Sequence, residues 1–296
     1  MNSLVWLILD SCRYDSFVRA RCPHFDAFAA ANRTAIERRW SYASWTAPAH
    51  YAFLMGMLPH PNPAGVFASE VYRQEYARWS ERLGVPDLDF ARFLPHLSLP
   101  RLLRELGYRT VGRVSLPVLN EATLLSVHFD DYRLMAAHAD FAGMIAELSF
   151  PAQQPVFYFL NLGETHYPYL LSEEELPRLA GLHGVLRDFA QSAPTDETSR
   201  FFDTAALARL HDQQVRCVEH LDGLFGRLLT RCPPGTHIIV TADHGELFGE
   251  DGRFGHGPVM HEKVFEVPFL EGKKVAEDQL LRDLVLEKMK GLGYLQ

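Results

Sequence analysis

Thr236-His237-Ile238-Ile239-Val240-Thr241-Ala242-Asp243-His244-Gly245-Glu246 is the stretch that decides the fold. Thr236–Val240 reads as a buried strand, so Asp243 and His244 fall where that strand ends. Near the N-terminus Leu4–Leu9 has the same character, and Asp10 stands at its carboxyl end. Open α/β sheets place their chemistry outside the carboxyl ends of strands. Two carboxylates and an imidazole delivered to one edge suit a divalent cation. A metal-dependent enzyme is the leading expectation.

Working outward, Thr34–Trp40, Arg109–Val114, Val156–Leu160 and Val264–Phe269 are further short runs rich in β-branched and aromatic residues. Helical patterns separate them at Pro23–Ala31, Pro48–Met57, Pro100–Leu106, Asp140–Leu148, Ala205–Leu229 and Glu277–Lys290. Proline in the first turn, and Gly107 after one of these helices, fit the end preferences of helices. Strands alternating with helices predict an α/β fold, a three-layer α/β/α sandwich around a mainly parallel sheet. The proline-rich segment at about 60–99 breaks the alternation and reads as an insertion over the active-site edge, with the form of a substrate lid. A second irregular stretch runs over Leu171–Phe202.

The bulk properties bound the function. The chain has 296 residues, enough for one large α/β domain or two small ones, with 47% hydrophobic and 22% charged residues, as in ordinary globular proteins. A formal charge of −8 argues against nucleic acid as the main partner. Cys12, Cys22, Cys217 and Cys232 show no CxxC spacing and read as reduced thiols, with neither a disulfide framework nor a zinc signature. Leu4–Leu9 is too short and lacks the basic flank of a signal peptide. No run approaches the roughly 20 apolar residues of a membrane span. The expected location is the cytoplasm.

Ser44-Trp45-Thr46-Ala47-Pro48-Ala49-His50 puts Thr46 just before a proline-started helix. A helix N-terminus offers unpaired N–H groups and partial positive charge, which favour an anion there. A threonine hydroxyl is a poor nucleophile unless a metal or base activates it, and a cation held by Asp10, Asp243 and His244 beside Thr46 meets that need. Taken alone, Thr46 reads as a plain N-cap.

With these residues on the page, the chain resembles the alkaline phosphatase superfamily, in its sulfatase-like and phosphoglycerol-transferase-like branch. Leu9–Asp15 resembles that branch's first metal motif and Pro23–Ala29 the stretch that follows it. Thr46–His50 matches the nucleophile motif, Leu54–Pro59 the helix after it, and Glu164–Tyr169 the family's histidine–proline–tyrosine turn. His211–Leu229, Thr241–Glu246, Gly255-His256-Gly257 and Val267-Pro268 complete a series in family order that spans nearly the whole chain. The resemblance implies one catalytic domain over residues 1–296, with Asp10, Thr46, Asp243 and His244 binding the cation and Thr46 also acting as nucleophile. It implies that His166 and His256 contact the transferred group or the leaving oxygen. Sulfatases of this fold oxidise a cysteine or serine at the Thr46 position to formylglycine. Threonine cannot give that aldehyde, and the family's threonine versions act at phosphorus.

The chain also departs from the pattern. Ser11 stands where a second aspartate often follows Asp10, His50 stands at the motif's terminal arginine, and the ligand spacing of a second metal is missing around Glu164 and His166. One divalent ion (Mn, Zn, Mg or Ca) is favoured, with a second possible. The expected function is hydrolysis or transfer of a small-molecule phosphate ester, diester or monoester, through a phospho-threonine intermediate. The alternatives are a non-hydrolytic metal-dependent binder of a phosphorylated ligand, or a sulfate-ester hydrolase. Glu164 is a weak candidate for His166 or the metal, Arg13 faces either an anionic substrate or Asp15, and His261 faces either solvent or the site. Cys12 reads as structural.

Overall fold

The computed structural model describes residues 2–55, 98–169, 171, 204–257 and 259–276. Its frame is a 7-stranded sheet. The strands are β1 (Leu4–Leu9), β2 (Glu37–Trp40), β3 (Arg109–Val114), β4 (Asp131–Leu134), β5 (Val156–Leu162), β6 (His237–Thr241) and β9 (Glu266–Lys273), in spatial order β2-β9-β6-β1-β5-β3-β4. β1 lies at the centre, parallel to β5 and β6. β3 continues the parallel set to β4, whereas β9 runs antiparallel to β6 and β2. A short hairpin, β7 (Leu247–Phe248) and β8 (Phe254–Gly255), follows β6. The helices are α1 (Tyr14–Arg19), α2 (Pro23–Asn32), α3 (Thr46–Met55), α4 (Leu99–Glu105), α5 (Phe141–Glu147), α6 (Thr204–Arg231) and α7 (Glu262–Phe265).

Alternation along the central strands builds two cores. Val5, Leu7 and Leu9 of β1 and Val156, Tyr158 and Leu160 of β5 face α1, α2, α5 and α6. Ile8 and the β5 residues Phe157 and Phe159 face α3 and α4 through Leu54 and Leu103. A strand apolar at every position is the mark of a sheet covered on both faces, which is why β1 and β5 were legible as apolar runs. The long helix α6, of 28 residues, buries Leu207, Leu210, Val218, Leu221, Phe225 and Leu228 along one stripe. Phe225 stacks on Phe25 of α2 with ring centroids 4.3 Å apart.

α6 also caps α2. The N-cap of α2, Cys22, makes no side-chain cap bond. Asp222 of α6 takes that place, accepting from the backbone N–H groups of His24 at 3.0 Å and Phe25 at 2.8 Å, and from His24 Nδ1 at 2.8 Å.

Element boundaries shift for local reasons. β2 starts at Glu37 and is exposed throughout, an edge strand held only by β9. β9 starts at Glu266 because the preceding residues wind into α7, capped by His261 Nδ1 accepting from the Lys263 N–H. α3 starts at Thr46, ahead of the proline expected to open it. β4, half exposed and charged, and the two-residue strands β7 and β8 carry no apolar periodicity to announce them. The expected helix at Glu277–Lys290, nearly all of the insertion at about 60–99 and most of Leu171–Phe202 lie outside the described residues. Among the described residues no helix is long and apolar enough to cross a membrane.

Replacing Asp222 by alanine leaves buried N–H groups at the start of α2 without an acceptor. The expected loss is about 1–3 kcal/mol of stability, read by urea denaturation, with Asp222→Asn retaining part of it.

Candidate functional site

Strand register brings the two aspartates together. Ile8 of β1 pairs with Thr241 of β6, and continuing the same register by two residues sets Asp10 opposite Asp243. The next residue, Ser11, takes a left-handed backbone (φ 61°), which aims its N–H at Asp243 Oδ1, 3.1 Å away. Gln214 of α6 holds this turn by donating to the Ser11 carbonyl at 2.9 Å and to the Thr165 carbonyl at 3.1 Å. The Thr165 hydroxyl donates to the Asp10 carbonyl at 2.8 Å.

Thr46, first residue of α3, reaches this corner from the other face of the sheet. Its Oγ1 is 3.4 Å from Asp10 Oδ1 and 3.2 Å from His244 Nε2. His244 Nε2 is 3.3 Å from Asp243 Oδ2 and 3.8 Å from Asp10 Oδ1. Four donors around a tetrahedral ion at about 2.0–2.2 Å stand roughly 3.3–3.6 Å apart, a spacing close to these distances and consistent with a divalent cation. Asp243 Oδ2 is buried and has no hydrogen-bond partner among the described residues, the mark of an oxygen meant for another ligand. Asp10 and Asp243 also form a buried cluster with His50, and its paired carboxylates are consistent with a divalent metal.

The atoms left over are committed elsewhere. Asp10 Oδ2 accepts from Asn161 Nδ2 at 2.7 Å, and Asp243 Oδ1 from the N–H groups of Ser11 and His244. Each carboxylate thus shows the cage a single oxygen. His244 Nδ1 is 2.9 Å from the Gly245 carbonyl, which places its proton there and turns the Nε2 lone pair inward. Burial, reinforced by the neighbouring His256, holds the His244 pKa well below its ordinary value.

Two further imidazoles stand over the cage. His256 lies 4.2 Å from His244 between ring centroids, and His166 lies 5.3 Å from His256. His166 Nδ1 is 2.6 Å from the Tyr167 carbonyl, and His256 Nδ1 is 3.0 Å from Glu246 Oε1. Burial opposes a charge on His256, but the Glu246 carboxylate outweighs it and raises the pKa. Glu246 is itself buried and takes a 2.5 Å hydrogen bond from the Tyr169 hydroxyl.

Asp10, Thr46, His166, Asp243, His244 and His256 therefore converge. The other candidates do not. The Arg13 guanidinium is spent on Asp15 at 2.5 Å and Glu250 at 2.6 Å. Glu164 accepts from the Phe141 N–H at 2.8 Å, and burial lifts its pKa to about 7. His261 caps α7, and burial pushes the Cys12 thiol up, as expected of a structural cysteine.

Sequence reasoning gave no role to Asn161, His50, Glu246 or His138. Asn161 lies inside β5, the parallel neighbour of β1, opposite Ile8 and one residue before the strand ends at Leu162. His50 lies one helical turn after Thr46 on the same face. His138, in the loop after β4, sets its ring 5.5 Å from His166.

A model of the Sulfatase family matches residues 3–271. The uncharacterized sulfatase YidJ of Escherichia coli strain K12 is 24% identical over 132 residues. That stretch is 40% of this chain and 27% of YidJ, so the match spans only about a quarter of the relative. The C-terminal periplasmic domain of EptC from Escherichia coli, in complex with Zn, superposes with a TM-score of 0.54 at 14% identity, covering 92% of this chain and 72% of that one. The C-terminal periplasmic domain of the phosphoethanolamine transferase EptC from Campylobacter jejuni gives 0.52 at 12%, covering 95% and 82%. The phosphonate monoester hydrolase SpPMH from Silicibacter pomeroyi gives 0.52 at 15%, covering 92% and 68%.

These likenesses correct the cytoplasmic expectation, because structures that share this fold are periplasmic domains. Leu4–Leu9 was read for the absence of an export signal, yet it is the central strand of the sheet and reports on the fold, not the compartment.

Protonation gives the cage a pH signature. Burial, then the adjacent Asp10 charge, raises the Asp243 pKa well above its ordinary 3.8, which favours the protonated carboxyl. A carboxyl raised in the folded state favours folding below its ordinary pKa and loses that contribution as pH rises toward the folded value. A cation takes the ionised form and releases the proton. The difference in Tm between zinc-loaded and chelator-treated protein is expected to widen from about pH 5.5 to about pH 8. An equal difference at both would rule out the protonated carboxyl.

Proposed function

The chain belongs to the Sulfatase family of enzymes, and from that premise we propose that it hydrolyses or transfers a phosphate ester through Thr46. The fold is shared with phosphoethanolamine transferase domains and a phosphonate monoester hydrolase, which supports chemistry at phosphorus in general. The observation that carries the finer reading is the Thr46 hydroxyl itself. It sits at the N-terminus of α3, within 3.2–3.4 Å of His244 and Asp10, inside a cage whose remaining oxygen has no partner.

Asp10, Thr46, Asp243 and His244 are the residues that would hold the cation. When bound, it would lower the pKa of the threonine hydroxyl and offset charge on a non-bridging phosphoryl oxygen. Single-oxygen presentation by both aspartates, with one imidazole, favours a four-coordinate ion such as zinc over calcium, which takes six to eight oxygens.

With its hydroxyl proton released to solvent once the cation is bound, Thr46 Oγ would attack phosphorus as the bond to the leaving alcohol breaks. The N-terminal dipole of α3 supports the charge. His256 would donate the proton that the leaving oxygen needs, because the Glu246 carboxylate beside Nδ1 raises its pKa. His166, with Nδ1 tied to its own loop, offers Nε2 to the transferred group. Water or an acceptor alcohol, passing its proton to the now neutral His256, would then attack the phospho-threonine and release Thr46. The same reading takes an extracytoplasmic setting for the chain, on its likeness to the periplasmic domains.

The test is a panel of aryl and alkyl phosphate monoesters, diesters and aryl sulfates with Zn²⁺, Mn²⁺, Mg²⁺ and Ca²⁺. Phosphate esters are expected to exceed sulfates; ligand binding without turnover in any metal would sink the enzymatic reading. Thr46→Ala is expected to lose about 10³-fold or more in kcat while it still folds. Full activity in that variant excludes the covalent route. His256→Gln is expected to cost about 10²–10⁴-fold on alkyl leaving groups and far less on nitrophenyl, whose oxygen leaves without a proton.

A further inference from the structure

The contact between Thr46 and Asp10 is closed into a ring by two residues that give no atom to the cage. The Ser115 N–H donates to Asn161 Oδ1 at 3.1 Å, which fixes the amide orientation. Asn161 Nδ2 is then the group 2.7 Å from Asp10 Oδ2 and 3.2 Å from His50 Nε2. An amide nitrogen only donates, so His50 Nε2 accepts and the ring proton sits on Nδ1. That Nδ1 is 2.8 Å from the Thr46 carbonyl. Thr46 Oγ1 returns to Asp10 Oδ1 at 3.4 Å. Asp10, His50 and Asn161 are 0% exposed and Thr46 is 5% exposed.

Two arms of donors run from Asn161 to Asp10: one directly, the other through His50 and Thr46, whose hydroxyl also lies 3.2 Å from His244 Nε2. His50 Nδ1 is also 3.6 Å from Asp243 Oδ2, close enough to suggest a metal ligand. Its hydrogen bonds speak against that: both ring nitrogens are already used. His50 occupies the second N–H of Asn161, and Asn161 in turn occupies Asp10 Oδ2. Without Asn161, Asp10 Oδ2 loses its 2.7 Å donor, and the carboxylate is left to the longer bonds from the Ser11 and Thr46 hydroxyls to Oδ1. Without His50, the amide keeps a buried N–H unpaired and loses its hold on the Thr46 end of α3.

We infer that His50 and Asn161 are positioning residues: they hold Asp10 to one oxygen and keep the Thr46 end of α3 against it. The inference rests on the reading of the cage as a metal-dependent nucleophile site. It assigns neither residue to the cation or to proton transfer.

The test compares His50→Ala, Asn161→Ala and the double variant with wild type. Zn²⁺ affinity is measured by competition with a chromophoric chelator in the absence of substrate, beside kcat and KM on whichever ester wild type turns over, and Tm. Each single variant is expected to weaken Zn²⁺ binding and lower kcat by about 10–100-fold, with KM nearly unchanged. The double variant is expected to be little worse than the weaker single variant, since one broken link opens the whole ring. His50→Gln, which restores an acceptor for Asn161, is expected to recover most of the affinity. Asn161→Leu keeps the shape without the N–H groups and carries the test if Asn161→Ala does not fold. Unchanged Zn²⁺ affinity in the single variants, or losses that multiply in the double, would overturn the ring. A wild type that turns over no ester, with the zinc results as expected, leaves the ring standing and refutes only the reaction.

Discussion

Two carboxylates, Asp10 and Asp243, are held out of water at the ends of adjacent parallel strands, and much of the rest of the site answers to that arrangement. Burial penalises each charge, and proximity penalises the pair. The fold compensates locally. Ser11 adopts a left-handed backbone so that its N–H reaches Asp243, the His244 N–H meets the same oxygen, and Asn161 serves the far oxygen of Asp10. What remains on the side where Thr46 and His244 stand is Asp243 Oδ2, without a hydrogen-bond partner among the described residues, and Asp10 Oδ1, met by the Ser11 and Thr46 hydroxyls. A buried pair with this residual demand is costly for a structural role and well suited to a cation.

The precision of that corner comes from layers that carry no chemistry. β1 is packed on one face by α1, α2 and α6, and on the other by α3 and its neighbours, so its carboxyl end has little freedom. α6 works at both levels. Its apolar stripe closes the core through Phe225 and Leu228, while Gln214, on the same helix, ties the Ser11 turn to the Thr165 loop. Asp222, two turns further on, fixes the start of α2. One helix therefore links hydrophobic burial to the placement of Asp10.

The sequence disclosed the parts of this plan that leave a mark in composition. Apolar runs ending in acidic residues exposed β1 and β6, and with them Asp10, Asp243 and His244. Thr46, His166 and His256 were singled out because ordered motifs surround them. Asn161 was missed because the strand was ended at Leu160, although β5 stays buried and paired to Leu162. A polar residue inside an apolar run reads as a terminus; only the neighbouring aspartate explains why it is buried. β4 was missed because its Asp131 and Arg133 serve salt bridges with Arg113 and Glu147, so polar contacts rather than apolar periodicity hold it. His50 was noticed only as a departure from a motif. Its meaning depends on which atoms surround each ring nitrogen, and spacing does not encode that.

The imidazoles show how far such detail decides function. His50, His166 and His244 each place Nδ1 beside a backbone carbonyl, whereas His256 places Nδ1 beside the Glu246 carboxylate. A carbonyl fixes the tautomer without adding charge. A carboxylate fixes it and stabilises the protonated ring as well. Four chemically identical side chains are thereby divided by the group behind the ring, a backbone carbonyl for three and a carboxylate for one. The Tyr169 hydroxyl on the other Glu246 oxygen completes that difference, because it binds the carboxylate without competing for His256. In the proposed reaction the acid is therefore selected by the residue behind the ring, and not by the histidine itself or its distance from Thr46.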